Sequence, residues 1–232
     1  MYHPLTQPLV APMVTGVAPR QGWQGIIKRQ RVGLLRDVSE SMSEDAKAAD
    51  ASRACSVLVQ TLADPVNKDG FDVGVVDFTT TARCVQTFER ATVVCGRIPD
   101  IVPDASTNVT AGIEEMLRQL DAADATKTSQ ERDRYIRPVV ILFSDGHHNT
   151  GADPQPAAAI LKEKADFVTA AFGDDADHVL LKELATSPQH FYALKDGRAL
   201  RNFLAHVGVV VMSTRQNGIP ATKALTQIKP VI

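Results

Sequence analysis

"RVGLLRDVSESMSED", residues 31–45, runs from a short apolar stretch into an acid and two hydroxyls on alternate positions, Asp37, Ser39 and Ser41. Its first half has the length and apolar density of a buried parallel strand. Residues 41–65 then read as a helix. Ser41 or Ser43 can cap it, Glu44 stands three residues after Ser41 as in a capping box, and Pro65 marks the end. A strand that ends in an acid and passes at once into a helix sets the pattern against which the rest of the chain is read.

Downstream, "GFDVGVVDFTTTARCVQTF" holds two strand-like runs joined by three threonines, the pattern of a hairpin. "STNVTAGIEEMLRQLDAA" is helical, because Ile113, Met116, Leu117 and Leu120 fall on one stripe. The polar stretch 124–137 reads as a surface loop, and "PVVILFSDG" after it as a buried strand closed by Asp145. The remainder alternates: a helix near 154–164, a strand at 165–173, a helix near 176–186, a strand at 190–194 and a last helix over 197–212. Such alternation implies an α/β fold, doubly wound, with a mostly parallel six-stranded sheet, one antiparallel edge strand and helices on both faces. A Pro-rich arm over 1–30, which contains Trp23, precedes the domain expected over 31–212, and a loosely held tail is expected from 213 to 232.

The formal net charge of -2 and the absence of long like-charge blocks give no footprint for nucleic acid. Four prolines break the first twenty residues, which lack the apolar core of a secretory signal. No apolar run approaches the roughly 20 residues that cross a bilayer, so a membrane role is not expected. Cys55, Cys84 and Cys95 are odd in number and form no CxxC pair, so they read as reduced thiols, with Cys55 facing a helix core. A cytoplasmic location is the expectation that fits them.

In a doubly wound sheet the binding crevice lies beyond the carboxyl ends of the strands, where Asp37 and Asp145 fall. Convergence of the loops carrying Asp37, Ser39, Ser41, Thr107 and Asp145 would gather two carboxylates and three hydroxyls. Oxygen donors alone suit a hard cation, Mg²⁺ or Mn²⁺, and suit zinc poorly. These residues resemble the metal-ion-dependent adhesion site (MIDAS) of von Willebrand factor A domains. "DVSES" fits its DxSxS motif, "STNVTAGI" resembles the segment with its threonine, and "LFSDGHHNTG" resembles the segment with its last aspartate. The resemblance, over about 31–212, implies a Rossmann-like sheet. It also implies that Ser39, Ser41 and Thr107 touch the metal by their hydroxyls, and that Asp37 and Asp145 bind it directly or through water. In the family a partner's acidic side chain fills the remaining position. Glu40 stands where the family often has glycine, and could face solvent, repel an acidic ligand or fold in as a ligand, with solvent favoured. Ala105 and Ser106 also replace glycines, which leaves Thr110 as a substitute for Thr107. His147 and His148 read as exposed rim residues, Asn149 as a loop-holding residue, and Arg36 as pointing away from the metal.

The function expected is a metal-dependent protein–protein interaction module rather than an enzyme. It most resembles small bacterial A-domain proteins of the TerY type, linked to tellurite resistance and stress response and grouped with protein kinases and phosphatases. The enzymatic alternative is a Mg²⁺-dependent, haloacid-dehalogenase-like phosphatase with Asp37 as nucleophile. That chemistry wants a second carboxylate two residues on, where this chain has Ser39.

Overall fold

The computed structural model describes residues 28–145, 147–173 and 175–228. Trp23, most of the expected arm and the last four residues lie outside them.

Six strands form one sheet, in the order β3-β2-β1-β4-β5-β6: β1 (Arg29–Asp37), β2 (Phe71–Phe78), β3 (Ala82–Arg90), β4 (Tyr135–Ser144), β5 (Asp166–Phe172) and β6 (Phe191–Leu194). Only the β2–β3 pair is antiparallel, and it closes through the three threonines. β1 begins two residues before its apolar run because Arg29 and Gln30 pair with Tyr135 and Ile136 on β4. Gln30 is buried, and its side-chain amide donates to the Arg137 carbonyl at 2.9 Å. The β1–β4 register shifts between Gln30 and Val32, opposite Arg137 and Pro138. The bulge accommodates a proline, which has no N–H to give to a central strand.

Strand residues alternate between two apolar layers. Val32, Leu34, Val75 and Ile141 face α1 (Lys47–Leu62). Two further helices complete that layer, α2 (Ala91–Val94) and α7 (Gly197–Gln216). Leu35, Val76, Val140 and Leu142 face the layer of α3 (Val109–Ala125), α5 (Gln155–Lys164) and α6 (His178–Leu184). Gly208 lets α7 lie close on α1, since a Cβ there would come within 3.0 Å of Thr61.

Two stretches depart from expectation. The polar stretch after α3 contains a turn of helix, α4 (Ser129–Arg132), made by a Thr128/Glu131 capping box. α7 runs to Gln216, and α8 (Thr222–Leu225) comes after it. Ala221, Leu225 and Ile228, spaced as an apolar stripe, join the α1–α7 core, so 221–228 is anchored to the domain rather than loosely held. No helix among the described residues is long and apolar enough to cross a membrane.

The strand order turns back at β1 and β4, which lie side by side although two strands separate them in sequence. This switch point puts the carboxyl ends of both strands beside one crevice.

Candidate metal site

Asp37 ends β1, fully buried. Its Oδ1 accepts the Ser39 amide at 2.9 Å, and its Oδ2 accepts the Ser144 hydroxyl from the end of β4. Ser39 is still extended (φ -67°, ψ 167°), so Asp37 and Ser39 keep the alternation of a strand. The helix expected here begins later: a 3-10 segment, Glu40–Ala46, intervenes before α1 at Lys47. Neither Ser39 nor Ser41 caps it by its side chain. Their hydroxyls meet each other at 3.1 Å, and Ser41 donates to Asp145 Oδ1 at 2.7 Å. The Ser41 hydroxyl is turned toward Asp145 on another loop rather than toward the amides of its own turn, so the local capping box does not form.

Thr107 reaches the same cleft from the loop before α3. Asn149 clamps its backbone, accepting the Thr107 amide at 3.0 Å and donating its own amide to the Thr107 carbonyl at 3.1 Å. Ala105, two residues earlier, is left-handed (φ 54°), a conformation glycine would adopt freely. Its carbonyl accepts the Glu40 amide at 3.0 Å and ties the two loops. The Thr110 hydroxyl instead donates to the Ala152 carbonyl, and Thr110 is not among the cleft-lining residues. His148 Nδ1 accepts the Val109 amide at 3.2 Å at the start of α3, and His147, largely exposed, lies 3.3 Å from Asp177.

Ser39, Ser41, Thr107 and Asp145 therefore line one cleft of about 620 Å³, with Asp37 buried beneath. Glu40, Glu44 and Asp175 also line it, so among the described residues four carboxylates face it and no Lys or Arg does. Glu40 is exposed at the rim. Such a cleft attracts a cation and repels an anion. Burial pushes the Asp37 carboxyl up to about 6, and Asp145 adds to the rise, against hydrogen bonds from Ser144 and Ser39. The Asp145 Oδ2 has an ion pair that composition does not reveal: Lys47 Nζ stands 2.8 Å away, its side chain only 11% exposed. Burial works against this ammonium, but the hydrogen bond and charge of Asp145 outweigh it and raise the Lys47 pKa.

Among the described residues no three His, Cys, Asp or Glu side chains converge as a metal cluster. The donor set here is two carboxylates and three hydroxyls, which fits a divalent cation with water completing its shell. A buried carboxylate without a cation of its own, such as Asp37, is the group that such an ion would return to its charged form. Asp37 is poorly placed as a nucleophile, since its oxygens lie below the cleft and both accept hydrogen bonds.

The von Willebrand factor type A domain model matches residues 32–206. Proximal thread matrix protein 1 of the mussel byssus, in a form with a zinc-occupied MIDAS motif, shares the fold with a TM-score of 0.61 at 19% identity, over 81% of this chain and 46% of that one. A von Willebrand factor type A protein from Catenulispora acidiphila gives 0.63 at 20% identity, over 80% and 43%. The corresponding domain of the pilus tip protein Mfa5 from Porphyromonas gingivalis gives 0.63 at 14%, over 84% and 97%. The chain spans less than half the length of the first two, and no curated protein matches it. By a family match that covers most of its length, this chain belongs to the von Willebrand factor type A domain family, whose members generally serve as interaction modules.

Proposed function

We propose that this domain binds a divalent cation, Mg²⁺ or Mn²⁺, through Asp37, Ser39, Ser41, Thr107 and Asp145, and through it holds an Asp or Glu carboxylate of a partner protein. The observation that carries the reading is the Ser39–Ser41–Asp145 hydrogen-bonded chain above the buried Asp37, in a cleft lined by four carboxylates. An acidic partner would be repelled from such a cleft unless a metal stood between them. The reading extends to a cytoplasmic scaffold of a bacterial stress-response or phospho-signalling assembly of the TerY type, with a kinase or phosphatase as partner. Three unpaired cysteines, one of them buried, agree with a reducing compartment.

Calorimetric titration of Mg²⁺, Mn²⁺ and Zn²⁺ into chelator-stripped protein tests the site. Zinc belongs in the series because the mussel protein holds it at such a motif. Saturable binding is expected in the native chain and none in Asp37→Ala or Asp145→Ala, with the circular dichroism of both unchanged. Equal binding in native and variant proteins would place the metal elsewhere.

A further inference from the structure

Lys47 is the group at this site that the proposed function does not yet use. Its ammonium meets Asp145 Oδ2 at 2.8 Å while Asp145 Oδ1 takes the Ser41 hydroxyl at 2.7 Å, so the carboxylate is gripped on both sides. Lys47 does not line the metal cleft. It lines the neighbouring cavity, with Asp50, Gly173 and Lys195, and reaches Asp145 from behind. Its end lies over Gly173, where a Cβ would stand 3.7 Å from Nζ.

Backbone geometry marks this placement as built. Asp45 (φ 46°, ψ 32°) and Ala46 (φ 60°, ψ 19°) are consecutive left-handed residues, neither of them glycine, immediately before Lys47. L-residues rarely adopt that conformation in succession. Here the pair turns the chain so that α1 starts with its first side chain on Asp145. Among the described residues no other Lys or Arg is paired with either carboxylate of the site.

We propose that Lys47 is a built-in counter-ion of the metal centre, which offsets part of the negative charge around the bound cation and so sets its grip on a partner's carboxylate. Charge counting gives the reason. Asp37 and Asp145 together cancel a divalent ion, and Glu40, Glu44 and Asp175 make the cleft more negative still, whereas Lys47 behind Asp145 returns one positive charge. Without that charge the site would hold its metal more tightly and an incoming carboxylate more weakly. Lys47 trades metal affinity for carboxylate affinity. The inference rests on the proposed metal site and adds to it a residue that determines specificity.

Mn²⁺ serves as the probe, with native protein, Lys47→Met, Lys47→Arg and Asp37→Ala compared. Calorimetry is expected to show Mn²⁺ bound about ten-fold more tightly by Lys47→Met, a change of about 1.4 kcal/mol, with Lys47→Arg close to native. Acetate, followed by its quenching of the water-proton relaxation that bound Mn²⁺ causes, should be needed at higher concentration in Lys47→Met than in the native protein. In chelator, Lys47→Met should melt below native, because a buried carboxylate has lost its partner, and Mn²⁺ should narrow the gap. Binding lost only in Asp37→Ala, but equal or weaker in Lys47→Met than in native, overturns the counter-ion role alone. No Mn²⁺ binding in native protein or Lys47→Met overturns the metal site and this role with it.

Discussion

Two buried aspartates stand one register step apart at the top of the sheet and are treated in opposite ways. Asp77 on β2 lies opposite Arg36 on β1, and Asp37 lies opposite Phe78. Arg36 grips Asp77 with two bonds, Nε to Oδ1 at 2.7 Å and Nη2 to Oδ2 at 3.1 Å, and donates Nη1 to the Pro99 carbonyl at 2.9 Å. Asp37 is met by Ser39 and by the Ser144 hydroxyl, and among the described residues by no Lys or Arg. Asp145 falls between the two, with a hydroxyl on one oxygen and a lysine on the other. A carboxylate that ties β2 to β1 is given a permanent cation, which also reaches the Pro99 carbonyl, whereas one meant for a removable cation is left without. The difference separates structure from site among residues of the same type and burial.

The largest effect should come from breaking the completed pair. Arg36→Met leaves the buried Asp77 with only the exposed Arg83, 3.4 Å from Oδ2, and is expected to lower stability by about 3 kcal/mol in urea unfolding. Arg36→Met combined with Asp77→Leu removes both charges and should recover most of that loss, because an apolar pair of similar volume replaces them. A double variant no more stable than the single one would mean that the pair shapes the packing beyond its charges.

The incomplete aspartate should respond with the opposite sign. The folded pKa of Asp37, about 6, lies above the ordinary carboxylate value, so its protonated form is the one that folding favours. Its stabilising contribution is complete below about pH 4 and is lost as pH rises through about 6. In chelator at pH 7, Asp37→Asn should therefore gain up to about 3 kcal/mol over the native protein, and the advantage should shrink as pH falls to about 4. Saturating Mn²⁺ should reverse the order, since binding stabilises only the chain that retains the ligand. A variant destabilised at pH 7 in chelator would show that the Asp37 carboxylate is needed for folding itself.

The sheet was legible in the sequence because its signal is periodic: apolar runs of strand length, closed by Asp37 and by Asp145, alternate with stripes of helical spacing. The same positions made the two carboxylates legible, since strand ends in such a fold face the crevice. The capping box was misleading because the Ser41 hydroxyl is drawn to Asp145, 104 residues away, and so is turned from the amides of its own turn. Lys47 was invisible for a related reason. In "SEDAKAAD" it looks like an ordinary solvated helix residue, and what brings it to Asp145 is a left-handed turn at Asp45 and Ala46 that neither residue type announces. The packed stretch 221–228 was missed because a short apolar stripe after a polar turn resembles a frayed end until Tyr192 and α7 supply its partner surface.

The smallest expected effect concerns His190, whose slope with pH opposes that of Asp37. It is buried just before β6, and its ring bridges the Ser187 hydroxyl at 2.8 Å and the Thr222 carbonyl at 2.9 Å. The Thr222 carbonyl requires a donor at Nε2, which the neutral ring supplies, whereas the Ser187 hydroxyl, also 2.9 Å from Gln189 Oε1, can give to or take from Nδ1. Burial lowers its pKa, against the Thr222 carbonyl and the charge of Asp166. A histidine lowered in this way contributes stability that is intact above about pH 6.5 and is lost as pH falls below it. In the native protein the gain from protonating Asp37 covers that loss over much of the same range. Asp37→Asn in chelator removes the cover, so its stability should decline between about pH 7 and 5, and adding His190→Gln should flatten the decline. A persistent slope in the double variant would assign the acid sensitivity to another group and leave His190 as a packing residue for α8.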